Sequence, residues 1–304
     1  MKKSIALLLV LVLVLSVGLT ACGKTANNAE NVQPEEPATA ESLMKGYLEK
    51  TASGTGMVYD TDMSMKMSMK VMGQSQTMEM TSVTRTESAG NISHLKGTSV
   101  TLSDGEKQTE ETEIYSVKDG KTITTYVLVD GKWYKQTSDS ELTGSLESMV
   151  WNIDYSGLTL SEEGNEYVLK GTISVNELMG VLQEYMGGLS DMGDLSSLDL
   201  SSAPPVAVEY RFDKSTRNAV SCSMDMKDCM RDIMEKVMKA LIEAFAQMGG
   251  EDGENPLAGI DISSLINIEI SETILKISNI SFDPALKIEL PEAAKGAAEI
   301  TSGD

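Results

Sequence analysis

Residues 63–80 read MSMKMSMKVMGQSQTMEM, and this stretch decides the fold class. Met63, Met65, Met67, Met69 and Val71 alternate with Ser64, Lys66, Ser68 and Lys70. A period of two puts the thioethers on one side of an extended strand and the charges on the other. GQSQ then turns the chain into a second strand running from Thr77 to Glu87. With Gly73 to Gln76 as a four-residue loop, Lys70 faces Glu79, Met69 faces Met80 and Val71 faces Met78, so charged and apolar pairs agree.

Working outward, strand-like segments follow at Ile92 to Leu102, Glu111 to Val117, Thr122 to Val129 and Lys132 to Gln136. Asp119-Gly120 and Asp130-Gly131 link three of them, and Asp-Gly supplies the positive φ angles that tight hairpins need. The expectation is an antiparallel meander. Leu158 to Leu160 and Tyr167 to Ile173 form another hairpin around Glu163-Gly164, and strands resume at Val206 to Asp213, Asn218 to Met226 and Ile266 to Phe282. Helical spacing of apolar residues appears in Glu41 to Lys50 and Val175 to Met186, and a further helix is read over Glu141 to Asn152. The strongest helix runs from Asp228 to Met248, with Met230, Ile233, Met234, Val237, Met238, Leu241, Phe245 and Met248 on one face. Antiparallel strands with helices set apart from them make an α+β protein.

The beginning of the chain reads MKKSIALLLVLVLVLSVGLTACGK. Lys2 and Lys3 precede an apolar run too short to span a bilayer, and small residues close it, which is the pattern of a secretory signal over residues 1–21. Leu19-Thr20-Ala21-Cys22 resembles a bacterial lipobox. That resemblance implies that Cys22 takes a diacylglyceryl thioether and a further fatty acyl chain such as palmitate, and that the protein sits on the extracytoplasmic face of the cell membrane. Removing residues 1–21 takes the formal charge from −21 to −23. So acidic a chain repels nucleic acid and anionic headgroups. Residues 22–40 are polar and proline-bearing, the composition of a disordered tether. Its eighteen residues after Cys22 reach roughly 25 Å as a random coil. Residues 41–304 read as a single domain, with acidic low-complexity loops near 187–205 and 249–264.

The order of these elements resembles the LolA-like and LppX-like lipoprotein families of Gram-positive bacteria. The residues that carry the likeness are the lipobox and tether, the short helix ESLMKGYLEK, the methionine-rich hairpin, the meander through VDGKWYK, the strand pair FDKSTRNAVSCSMDM and the closing SNISFDPALKIELPEAA. The resemblance implies a curved antiparallel sheet, an unclosed half-barrel, packed around helices on its concave side, where several family members carry acyl chains.

Catalytic and metal chemistry finds little support. His94 is the sole histidine, so a multi-histidine metal site is excluded. Ser42-Leu-Met-Lys45 spells S-x-x-K but lacks the companion motifs of penicillin-binding enzymes. The acidic loops lack the spacing of a calcium loop. No cofactor or metal site is expected, and the chain reads as non-enzymatic. Methionine suits two roles: a soft-metal site for copper(I), or an adaptable apolar lining. The lining is favoured, formed by Met63, Met65, Met67, Met69, Val71, Met78 and Met80 of the hairpin with Met234, Val237, Met238 and Leu241 of the long helix. Cys222 and Cys229 are spaced for a local disulfide staple, the alternative being two buried thiols.

The expected function is therefore binding of a lipid or other apolar ligand by a monomeric, membrane-tethered lipoprotein. The alternative is a ligand-free module that contacts another envelope protein or acts as a sensor. A cell-wall hydrolase and a copper(I) carrier rank below both.

Overall fold

The computed structural model describes residues 37–71, 74–139, 154–175, 202–247 and 266–299. The lipobox and Cys22, the helix expected at 141–152, all but Val175 of the helix expected at 175–186, residues 187–201 of the first acidic loop and the whole of the second lie outside the described residues.

The chain enters through helix α1 (Ala40–Ala52). Thr39 caps it: the Thr39 hydroxyl accepts from the Ser42 amide at 3.0 Å, and the Ser42 hydroxyl accepts from the Thr39 amide at 2.9 Å. This reciprocal cap satisfies amides that a helix start otherwise leaves orphaned. Leu43, Met44 and Tyr47 recur on one face and are buried. Burial of each such side chain stabilises the fold by roughly 1.5–3 kcal/mol.

Among the described residues twelve strands build one sheet. They are β1 (Met57–Val71), β2 (Gln74–Ala89), β3 (Ile92–Ser103), β4 (Glu106–Asp119), β5 (Thr122–Val129), β6 (Lys132–Asp139), β7 (Thr159–Glu163), β8 (Glu166–Ile173), β9 (Val206–Asp213), β10 (Ala219–Asp225), β11 (Ile266–Phe282) and β12 (Ala298–Glu299). The spatial order is β12-β6-β5-β4-β3-β2-β1-β11-β10-β9-β8-β7. β1 thus lies at the centre, between its hairpin partner and a strand that arrives two hundred residues later. Pairing is antiparallel throughout, except that the two residues of β12 run parallel to β6. The sheet is large, curved and unclosed, with β12 and β7 at its edges. Two register shifts interrupt the β1–β11 ladder, between Val58 and Asp60 and between Lys66 and Met67. Such bulges bend a strand and increase its twist.

The turns follow their chemistry. Asp130 and Gly131 have φ of 50° and 74°, as a two-residue hairpin between β5 and β6 requires. At the β4–β5 link, Asp119 still pairs with Thr122, so the turn is made by Gly120 and Lys121 rather than by Asp119 and Gly120.

The hairpin register differs from the sequence expectation. Lys66, not Lys70, stands opposite Glu79; Met65 opposes Met80, Met67 opposes Met78, and Val71 opposes Gln74. The M-S-M-K unit repeats every four residues, so a slip of four keeps every side chain on its face and replaces one lysine with another. The observed register shortens the link to two residues and lets β1 and β2 pair along their full length.

The main core lies under β1 and β8–β11, where α1 meets Met57, Tyr59, Leu169, Tyr210, Phe212 and Ile277. Helix α2 (Lys227–Gln247) follows β10 and packs on β11, contributing Cys229 and Ile233 to this core. Helix α3 (Glu292–Lys295) precedes β12.

Candidate functional site

Alternation along β1, β2 and β3 sorts their side chains into two chemically opposite faces. One face carries every charged residue of the three strands: Asp60, Asp62, Lys66 and Lys70 of β1, Glu79, Arg85 and Glu87 of β2, and Lys96 of β3. These groups pair across the sheet, as Arg85 does with Asp60 at 3.4 Å and Lys66 with Glu272 of β11 at 3.5 Å. His94 lies on this charged face. Its Nε2 is 3.1 Å from Glu113 Oε1, and its ring stacks on Tyr115 with centroids 4.2 Å apart. Burial pushes the Tyr115 hydroxyl up, and the nearby Glu113 and Glu87 carboxylates push it further.

The other face carries no charge on these strands. It begins with the core residues Met57 and Tyr59, continues through Thr61 and Met63, and reaches Met65, Met67 and Met69. Met65 and Met80 are buried against each other, with Met63 and Met78 packed around them. Met67 and Met69 are half-buried on the same face, where Ile270 and Ile268 of β11 are buried beside them. The structure therefore gathers Met63, Met65, Met78 and Met80 into one cluster and places Met67 and Met69 in line with it. Met234, Val237 and Met238 are half-buried on α2, while the side chains of Val71 and Leu241 lie outside the described residues.

Beyond the methionines the same face changes character. Ser82, Thr84, Thr86 and Ser88 of β2 and Ser93, Ser99 and Thr101 of β3 are all buried, with Leu95 between them and Gly97 opposite Thr84. Hydropathy alone does not reveal this hydroxyl-bearing floor. The available signal was phase: if Met78 and Met80 face inward, every second residue after them must do so too, which sends Val83 outward, where it is 56% exposed.

The S-x-x-K pair is engaged in helix structure. The Ser42 hydroxyl serves the N-cap, and Lys45 bonds Glu41 at 2.5 Å. Cys222 and Cys229 are both free, buried thiols. Burial pushes the Cys222 thiol well up, with Tyr210 hydrogen-bonded to it, and pushes Cys229 up to about 11. Among the described residues no group of three or more His, Cys, Asp or Glu side chains is placed to hold a metal ion, and no helix is long and apolar enough to cross a membrane.

What the arrangement offers chemically is an uncharged surface of thioethers, aliphatic groups and small hydroxyls, backed by a charged outer face.

No curated protein matches the chain. Among solved structures, a DUF1329 family protein from Desulfovibrio piger aligns over 82% of this chain and 93% of its own length, at 11% identity and a TM-score of 0.20, too low to carry any argument. A model of DUF6612, a family of unknown function, matches residues 40–244, from the first residue of α1 into α2. That match spans most of the chain, which therefore belongs to the DUF6612 family.

Proposed function

We propose that this protein is a non-enzymatic, monomeric lipoprotein, tethered through lipidated Cys22 to the extracytoplasmic face of the cell membrane, that holds a lipid or other apolar ligand against its curved sheet. In this reading helices occupy the concave side of the sheet, as in the LolA-like and LppX-like families it resembles, and the ligand lies between helix and sheet. The observation that carries the reading is the charge-free inner face of β1–β3, where methionines cluster while every charge on those strands points the other way. Methionine is unbranched and polarizable, so a surface built from it can repack around chains of varied length and shape. Met65 and Met80 would form the centre of the hydrocarbon contact, with Met67 and Met69 along it.

Native mass spectrometry of the full chain tests this. A stoichiometric, non-covalent adduct that partitions into organic solvent is expected, in addition to any covalent lipid. A chain that flies without one, and that fails to enhance the fluorescence of an acyl probe, would sink the proposal and favour a ligand-free module that contacts another envelope protein.

A further inference from the structure

The hydroxyl floor next to the methionines contains groups that the fold itself leaves unsatisfied. Thr84 Oγ1, Thr86 Oγ1, Ser93 Oγ and Ser99 Oγ are buried with no hydrogen-bond partner. Their residues are 4%, 0%, 0% and 2% exposed, and all four lie on the uncharged face of two adjacent strands. A buried hydroxyl left unpaired costs about 1–3 kcal/mol, whereas valine or alanine at the same position costs nothing of the kind. Four such groups on one face are explained if something outside the chain completes them.

The chemistry of the floor limits what that partner is. A hydroxyl both donates and accepts, so it matches other hydroxyls, esters and amides. No lysine or arginine shares this face on β1–β3, so nothing there neutralises a phosphate or carboxylate, whose burial without a counter-charge is prohibitive. Most of the floor is also low: Ser82, Thr84, Thr86, Ser88, Ser93, Gly97 and Ser99 are small, while Met65 and Met80 stand at one end and Leu95 rises within it, opposite Thr86 and beside Ile114.

We infer that the Ser/Thr floor of β2 and β3 is a binding site for the uncharged, oxygen-rich part of an amphiphile, a glycosyl or glycerol-ester group, whose hydrocarbon chain lies along the methionines. The inference rests on the apolar-ligand reading and adds the class of headgroup. It makes the protein a selector of neutral over anionic lipids.

The test compares the full chain with the quadruple variant Thr84→Val, Thr86→Val, Ser93→Ala, Ser99→Ala and with the conservative Thr84→Ser, Thr86→Ser. Each is titrated with a diglucosyl diacylglycerol, with phosphatidylglycerol of the same acyl chains and with free disaccharide, all displacing a fluorescent acyl probe. The wild type is expected to prefer the glycolipid by about tenfold or more, the equivalent of one or two net hydrogen bonds. The quadruple variant should lose that preference, its Kd for the glycolipid rising to that for phosphatidylglycerol, and the serine variant should keep it. The ligand-free quadruple variant should melt at the wild-type temperature or above, because it gives up no bond.

Four results would overturn the inference. A wild type that binds the acyl probe but shows no headgroup preference would overturn it alone and leave apolar binding standing, as would disaccharide binding as tightly as glycolipid. A quadruple variant that melts several degrees lower, or fails to fold, would show that the hydroxyls are bonded within the protein. A wild type that binds neither probe nor lipid would remove the apolar-ligand reading itself.

Discussion

Gly97 of β3 lies opposite Thr84 of β2 so closely that a Cβ on Gly97 would stand 2.5 Å from Thr84 Cγ2 and 2.5 Å from the Val83 carbonyl oxygen. One of those neighbours is backbone and cannot rotate away. Gly97→Ala should therefore push β2 and β3 apart and destabilise the protein by about 1–3 kcal/mol, the usual cost of overpacking. Gly46, on the exposed side of α1 with open space where its Cβ would be, should behave oppositely. Gly46→Ala should stabilise by about 0.8–1 kcal/mol through helix propensity alone. Urea unfolding midpoints of the two variants, moving in opposite directions from the wild type, check both.

The pairing of Lys66 with Glu79 yields a second prediction. Directly opposite residues in an antiparallel pair have Cα atoms about 4.5–5.5 Å apart, within reach of a disulfide. The double variant Lys66→Cys, Glu79→Cys should cross-link on mild oxidation. Lys70 is four residues farther along, about 13 Å away at strand rise, so Lys70→Cys, Glu79→Cys should stay reduced. Non-reducing mass analysis of peptides from each oxidised variant separates the two registers.

That register marks how far the sequence was legible. Strand existence and the division into an apolar and a charged face follow from period-two alternation, and the antiparallel sense follows from the short GQSQ and Asp-Gly turns. The sequence places a strand at Ile266 to Phe282, and these are the bounds of β11. The pairing was not legible, because a tetrapeptide repeat makes registers four residues apart nearly equivalent in side-chain terms, and loop length and pairing along the whole ladder decide between them. The methionine cluster was legible for the same reason that the hydroxyl floor was not. In T-S-V-T-R-T-E-S the inward residues are less apolar than the outward Val83, so hydropathy points the wrong way and only phase inherited from Met80 gives the answer.

Cysteine chemistry tests the proposed lipidation of Cys22. Cys222 and Cys229 are buried and their thiols are held above the ordinary cysteine range by desolvation, so the reactive thiolate is scarce at neutral pH. A colorimetric thiol reagent should leave both untouched in the native protein. After unfolding in denaturant under non-reducing conditions, it should titrate two thiols per chain if Cys22 carries the proposed thioether. Three thiols would mean that Cys22 is unmodified, and none would mean that Cys222 and Cys229 had joined.

Acid sensitivity should localise to the cluster around Arg211 on the outer face of β9. Arg211 donates from Nη1 to Glu166 at 2.9 Å, from Nη2 to Glu163 at 3.0 Å and from Nε to Glu209 at 2.5 Å, while Lys170 approaches Glu209 at 3.1 Å and Glu163 at 3.2 Å. Hydrogen bonds from Lys170 and then Arg211 hold the Glu163 carboxyl below its ordinary value of 4.5. At Glu209 burial pushes upward, but the bonds from Lys170 and Arg211 outweigh it and the net shift is again down from 4.5. A carboxyl depressed in the folded state stabilises the fold at pH values above its unfolded pKa, and that contribution disappears as pH falls through the depressed value. The wild type should therefore resist urea better than Arg211→Gln at neutral pH. The two midpoints should draw together once the pH drops below 4.5, as the carboxyls protonate and Arg211 loses its partners. The exposed position of the cluster keeps the difference modest and makes it shrink in high salt. Midpoints that stay equally separated at low pH would assign the role of Arg211 to packing of its aliphatic stem rather than to charge.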